Sequence, residues 1–212
     1  MNKNEKVLEI IKRLDKRYPN VKTALNFETP LDLLIATVLS AQTTDINVNK
    51  VTEKIFKKYK TAKDYVEVSI EELENDIRSI NFYKNKARYI KNLAKELLNK
   101  FNGEVPKTIE QLISLPGVGR KTANIVLWNA FGINEGVAVD THVKRISKLL
   151  GLTKNTDPEK IEQDLMEITP REYWGKLSHL LIMLGREICK AKAPDHINCP
   201  LNDICPSSKF KG

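Results

Sequence analysis

No single helix can run through Leu115-Pro116-Gly117-Val118-Gly119-Arg120-Lys121. Thr108 to Leu115 carries apolar residues at 109, 112, 113 and 115, a helical spacing, and then meets Pro116. Lys121 to Phe131 is a second helical run, with Ala123, Ile125, Val126, Leu127 and Ala130 on a wide apolar face. The pattern predicts a helix, a hairpin and a helix. Gly117 and Gly119 allow positive φ angles and leave the N–H groups of the turn uncovered. With the positive end of the second helix, those N–H groups form a seat for phosphate. Taken alone, the turn reads equally well as a plain helix stop.

Lys121 alters that balance. A cation in a first helical turn opposes the helix dipole, so helix propensity does not explain it. The same field favours the free amine, a nucleophile that forms Schiff bases. The plainer reading of Lys121 is a solvated phosphate contact. Nineteen positions later Asp140 precedes the run Thr141 to Leu150, another helical pattern, and aspartate is a preferred N-cap. Asp140 can be a cap and also a carboxylate that takes a proton or faces a cationic sugar.

Elsewhere the chain reads as helices. Leu31 to Leu39 is apolar nearly all round, as in a buried helix. Residues 46–59, 71–80, 87–98, 158–168 and 174–188 each repeat apolar residues at three- and four-residue steps. No run alternates as a strand, and the expected class is all-α. The first twenty residues predict an amphipathic helix with Val7, Leu8, Ile11 and Leu14 inward, not a signal peptide. No stretch is long and apolar enough to span a membrane, so the cytoplasm is the expected location. The formal charge of +8 is spread along the sequence and suits a folded protein that meets a polyanion. Cys189, Cys199 and Cys205 are the only cysteines. An odd count in a cytosolic chain argues for metal ligation or free thiols over a disulfide framework.

LPGVGRKTAN followed by VDTH resembles the endonuclease III family of DNA glycosylases. The likeness continues through residues 25–50, 81–90 and 102–112 and into the C-terminal cysteines, in order and along nearly the whole chain. It implies two helical domains with a DNA-binding cleft between them. One is a six-helix domain over about 23–135 that ends with the helix-hairpin-helix motif at about 108–131. The other joins 1–22 to 136–212 and carries a cluster loop at 189–205. Lys121 and Asp140 would face each other across the cleft as the catalytic pair. The hairpin Gly117, Val118, Gly119 and Arg120 would bind DNA phosphates. Gln42 would fill the hole left by an extruded nucleotide, and Phe82, where the family often has leucine, would wedge beside the partner base. His142 is a candidate pocket or phosphate contact, and Lys190 and Lys192 lie in a loop expected on the DNA backbone.

The family's [4Fe–4S] spacing is Cys-x6-Cys-x2-Cys-x5-Cys, and here it reads Cys189-x6-His196-x2-Cys199-x5-Cys205. The resemblance therefore implies a cluster with His196 in place of the second cysteine. A Cys3His zinc site, or no metal, is the alternative. The implied activity is base-excision repair: removal of oxidised pyrimidines from duplex DNA through a lysine Schiff base, then β-elimination at the abasic site. The implied state is a monomer, associated with the nucleoid if the source is prokaryotic. The alternatives are a glycosylase for 8-oxoguanine or another lesion or mismatch, and a non-catalytic helix-hairpin-helix DNA-binding module.

Overall fold

The computed structural model describes residues 2–209, and among them there are helices and no strand. In chain order the helices are α1 (Lys3–Arg17), α2 (Pro30–Leu39), α3 (Asp45–Lys58), α4 (Ala62–Glu67), α5 (Ile70–Asp76), α6 (Tyr83–Phe101), α7 (Ile109–Ile113), α8 (Arg120–Phe131), α9 (Thr141–Leu149), α10 (Pro158–Ile168) and α11 (Trp174–Glu187). A 3₁₀ turn, Arg171–Tyr173, precedes α11. The chain divides into two units, Thr23–Ile133 and Met1–Lys22 with Asn134–Gly212.

The Thr23–Ile133 unit is built around α2. Every residue from Leu31 to Leu39 is buried, which is why that sequence shows no polar face. Its start is fixed twice over. Thr29 Oγ1 accepts from Asp32 N at 3.1 Å, Asp32 Oδ2 accepts from Thr29 N at 2.9 Å, and Pro30 supplies a helical φ in advance. Helices α3, α6 and α8 press apolar stripes onto α2, with Val48 and Ile55, Ile90 and Leu97, and Val126 and Leu127 in the same core. Each such aliphatic side chain contributes roughly 1.5–3 kcal/mol by leaving water.

The second unit packs α1, α9, α10 and α11 around Ile10, Leu14, Val143, Ile146, Leu165, Leu180 and Leu184. On α1 the inward face differs from expectation at one place: Ile10 is fully buried and Leu8 is 42% exposed. Val7, Ile10, Ile11 and Leu14 follow steps of three, one and three, and Leu8 falls to the side of that stripe. A second difference lies in 71–80, where α5 stops at Asp76; Ile77 and Ile80 are buried as part of an irregular turn. Hydrophobic spacing continues through that turn although the helix does not.

Candidate nucleic-acid interface

The hairpin is formed as the sequence predicts, with one refinement. Thr108 caps α7, Val118 N donates to Leu115 O at 3.2 Å, and Ala123 N donates to Gly119 O at 3.0 Å to begin α8. Gly117 takes a φ of +78°, whereas Gly119 is extended at −92° and needs no glycine for its backbone. Val118 points inward and is buried in the core, so only its backbone is available to a ligand. Gly117, Gly119 and Lys121 are exposed, and Arg120 is half-buried.

Capping separates this helix from its neighbours. In the same unit α2, α3, α4, α5 and α7 each have a Thr or Ser side chain accepting from a first-turn N–H. Helix α8 has Gly119 at its N-cap, with no side-chain cap. Helix α6 is the other exception, with Phe82 at the cap. A helix start without a cap presents donors to a ligand, and an anion is the ligand that they and the dipole favour.

Among the described residues four besides glycine have positive φ: Asn20, Gln42, Phe82 and Asn102. Asparagine tolerates the left-handed region. Gln42 (φ +54°) and Phe82 (φ +59°) do not do so readily, and such residues carry strain on the order of 1–3 kcal/mol. Both side chains are exposed, Phe82 by 61%. They share a support: Asn81 Nδ2 donates to Gln42 O at 2.5 Å. A large apolar ring held out in water on a strained backbone is not a core residue.

In the other unit Asp140 is the N-cap of α9, its Oδ1 accepting from Val143 N at 2.8 Å. His142 is half-buried, with Nδ1 against Gly185 of α11; a Cβ on Gly185 would meet that nitrogen at 2.6 Å. Burial pushes the His142 pKa below the usual histidine value, and Asp140 works against that shift.

Cys189, His196, Cys199 and Cys205 all line one cavity of about 250 Å³ at the end of α11, floored by Ile146, Leu149 and Leu201. Asp195 folds the loop that carries His196, accepting from Asn198 N at 3.1 Å and Asn198 Nδ2 at 2.8 Å. Arg145 Nη2 donates to Cys189 O at 2.6 Å. Burial, and the neighbouring thiols, raise the pKa of Cys189 and Cys199. Among the described residues no three His, Cys, Asp or Glu side chains converge tightly enough for one metal ion. On the same loop Lys192 is exposed and Lys190 is exposed as well.

These features match known proteins along nearly the whole chain. Residues 35–171 match the model of the HhH-GPD superfamily of base excision DNA repair proteins. Endonuclease III of Synechocystis sp. is 46% identical over 98% of this chain and 95% of its own length. Endonuclease III of Bacillus subtilis is 44% identical over 91% and 88%. The chain belongs to the endonuclease III family. A solved trapped endonuclease III–DNA covalent intermediate superposes with a TM-score of 0.91 at 46% identity, covering 98% of this chain and 97% of that one. The endonuclease III fold, all-helical with its helix-hairpin-helix, is thus the fold of this chain. Among the described residues no helix is long and apolar enough to cross a membrane.

One residue of this family member escapes a reading by residue type. Lys86 on α6 is 5% exposed, and its Nζ donates to Leu39 O at 2.8 Å, Ala41 O at 2.6 Å and Thr43 Oγ1 at 3.2 Å. A signal existed, because Lys86 stands in step with Ile90, Leu93 and Leu97 on the buried stripe of α6.

Proposed function

We propose that this endonuclease III family member removes oxidised pyrimidines from duplex DNA and then cuts the strand, with Lys121 as the nucleophile. It is a DNA glycosylase and abasic-site lyase. The observation that carries the assignment is the exposed Lys121 in the first turn of α8, the one helix of its unit with a bare glycine cap. Phosphate contacts through the N–H groups of Gly117, Gly119 and Arg120 hold the strand beside that amine. The damaged nucleotide leaves the stack, Gln42 enters the space it vacates, and Phe82 wedges beside the partner base.

The C1′–N bond breaks through a cationic sugar, Lys121 Nζ bonds to C1′, and the base leaves with the proton that the amine gives up by way of Asp140. Asp140 accepts the proton lost by the attacking amine and faces the cationic sugar that precedes bond formation. The C1′–O4′ bond then opens, O4′ taking a proton, and the Schiff base formed at C1′ acidifies the C2′ hydrogen. Its removal expels the 3′ phosphate by β-elimination, and water then releases Lys121 from the cut sugar.

Cys189, Cys199 and Cys205 with His196 would hold the family's [4Fe–4S] cluster. The fit rests on three thiols and one imidazole lining a single cavity, a donor set that suits a cluster iron. Imidazole replaces cysteine in some iron–sulfur centres. When bound, the cluster would supply a structural or redox element apart from the bond-breaking steps, and the loop of its ligands carries Lys190 and Lys192 toward the DNA backbone.

Borohydride reduction during incubation with a thymine glycol duplex tests the assignment. A covalent protein–DNA adduct is expected, and Lys121→Ala should abolish it together with base release. An adduct that persists in Lys121→Ala places the nucleophile elsewhere; binding without adduct or base release supports the non-catalytic module. Iron and sulfide analysis of Cys199→Ala and His196→Ala, with the visible absorption of the purified protein, tests the cluster and the histidine ligand separately.

A further inference from the structure

Gln42 and Phe82 are exposed and strained, and neither is stabilised by packing of its own side chain. Something beneath them must hold the two loops. Lys86 reaches both. Its backbone N–H donates to Phe82 O at 3.1 Å, closing the first turn of α6. Its ammonium crosses to the end of α2, where it donates to Leu39 O, Ala41 O and Thr43 Oγ1, on both sides of Gln42. Asn81, next to Phe82, donates to the carbonyl of Gln42 itself.

A lysine ammonium has three protons, and here three acceptors take them while the side chain is largely buried. Charged donors make the stronger hydrogen bonds, and leaving a buried carbonyl without a partner is costly. The end of α2 supplies the negative pole that suits a cation. Burial alone lowers the lysine pKa to about 8, so the residue is held at a cost that packing of the helix does not require. A methionine or leucine would fill the same stripe on α6.

We infer that Lys86 is a positioning residue: its ammonium, with Asn81, fixes the loop of Gln42 and the cap at Phe82 as one rigid device that enters the DNA stack. The inference rests on the reading of Gln42 and Phe82 as the residues that enter the duplex. Rigidity matters because the side chains have to take the place of a nucleotide while it is out of the helix. A loop that sampled other conformations would lose rate through misplacement, and shifts of about 1 Å cost on the order of 100-fold in rate.

The test compares two substrates for each variant. A duplex with thymine glycol demands extrusion, whereas a single-stranded abasic oligonucleotide does not, and borohydride trapping reads both. For Lys86→Met the ratio of duplex rate to single-strand rate should fall roughly 10-fold or more, and Lys86→Arg should recover part of it. A merely structural role would lower both rates together and leave the ratio at the wild-type value, which overturns the inference. Gln42→Ala is measured alongside. If Gln42→Ala lowers the ratio and Lys86→Met does not, Lys86 has no positioning role and the reading of Gln42 stands. If neither lowers it, the reading of Gln42 fails as well. In the double variant Lys86→Met adds little to Gln42→Ala, because both remove one device. Should Lys86→Met fail to fold, Lys86→Gln, which keeps a stem and a donor, is judged by the same ratio.

Discussion

At Gly117 a φ of +78° coincides with a close neighbour: a Cβ placed there would lie 3.0 Å from both Cβ and Cγ of Tyr89. Gly117→Ala therefore combines left-handed strain with overpacking, and thermal or denaturant unfolding should show a loss of about 2–4 kcal/mol. Gly119 has an extended φ, and a Cβ added there would meet no atom within 4 Å. Gly119→Ala should cost no more than about 1 kcal/mol, the ordinary penalty of alanine at an N-cap. Both glycines are visible in the sequence, but the sequence has no sign of which one the fold needs. That difference depends on Tyr89, which comes from another helix. Lys86 was hidden for a related reason: lysine as a residue type points to the surface, and only its register with Ile90, Leu93 and Leu97 betrays its burial.

Helices with a cap residue and a long apolar stripe were legible almost to the residue. Asp157-Pro158 sets the start of α10, and the run to Ile168 sets its end. Helix α4 was not foreseen, since six residues hold less than two turns and give no period to detect. Helix α6 begins four residues before its expected start because Phe82, a left-handed aromatic, carries no capping signal. The missing cap thus obscures the start of α6, whereas the start of α8, also uncapped, is legible from the glycine turn before it. Gly119→Asp turns this into an experiment. An aspartate N-cap should stabilise α8 by a few tenths of a kcal/mol, yet place a carboxylate in the proposed phosphate seat. Binding to duplex DNA, followed by fluorescence anisotropy at fixed salt, should weaken about 10-fold or more.

Over the whole molecule, charge is less available than its total suggests. Lys3 and Lys6 donate to Leu152 O and Leu150 O at the end of α9, Lys91 to the carbonyls of Tyr65, Val66 and Val68, and Lys86 to the end of α2. These lysines close helix ends and are spent within the fold, so the +8 overstates the charge open to phosphates. Acid stability is also a global property with a local source. His179 is buried, and burial lowers its pKa from 6.5 against the opposing hydrogen bond to Gly175 O at 3.0 Å. The unfolded chain then binds the proton more tightly, so stability is complete above about pH 6.5 and falls as pH drops below it. Unfolding midpoints measured between about pH 7.5 and 5.5 should decline in the wild type and decline less in His179→Gln.

The division of the chain has a consequence in time. The Thr23–Ile133 unit is continuous, so it can close its core as soon as its last helix leaves the ribosome. Helix α1 belongs to the other unit, and its partners α10 and α11 are made only after that whole insert. At ordinary synthesis rates the apolar face of Val7, Ile10, Ile11 and Leu14 waits on the order of ten seconds for its partners. The capping box of Asn2 and Glu5 and the basic last turn of Lys16 and Arg17 lend α1 helical structure of its own during that wait. An early helix that remains soluble until late partners arrive is a requirement of translation, written into the first seventeen residues.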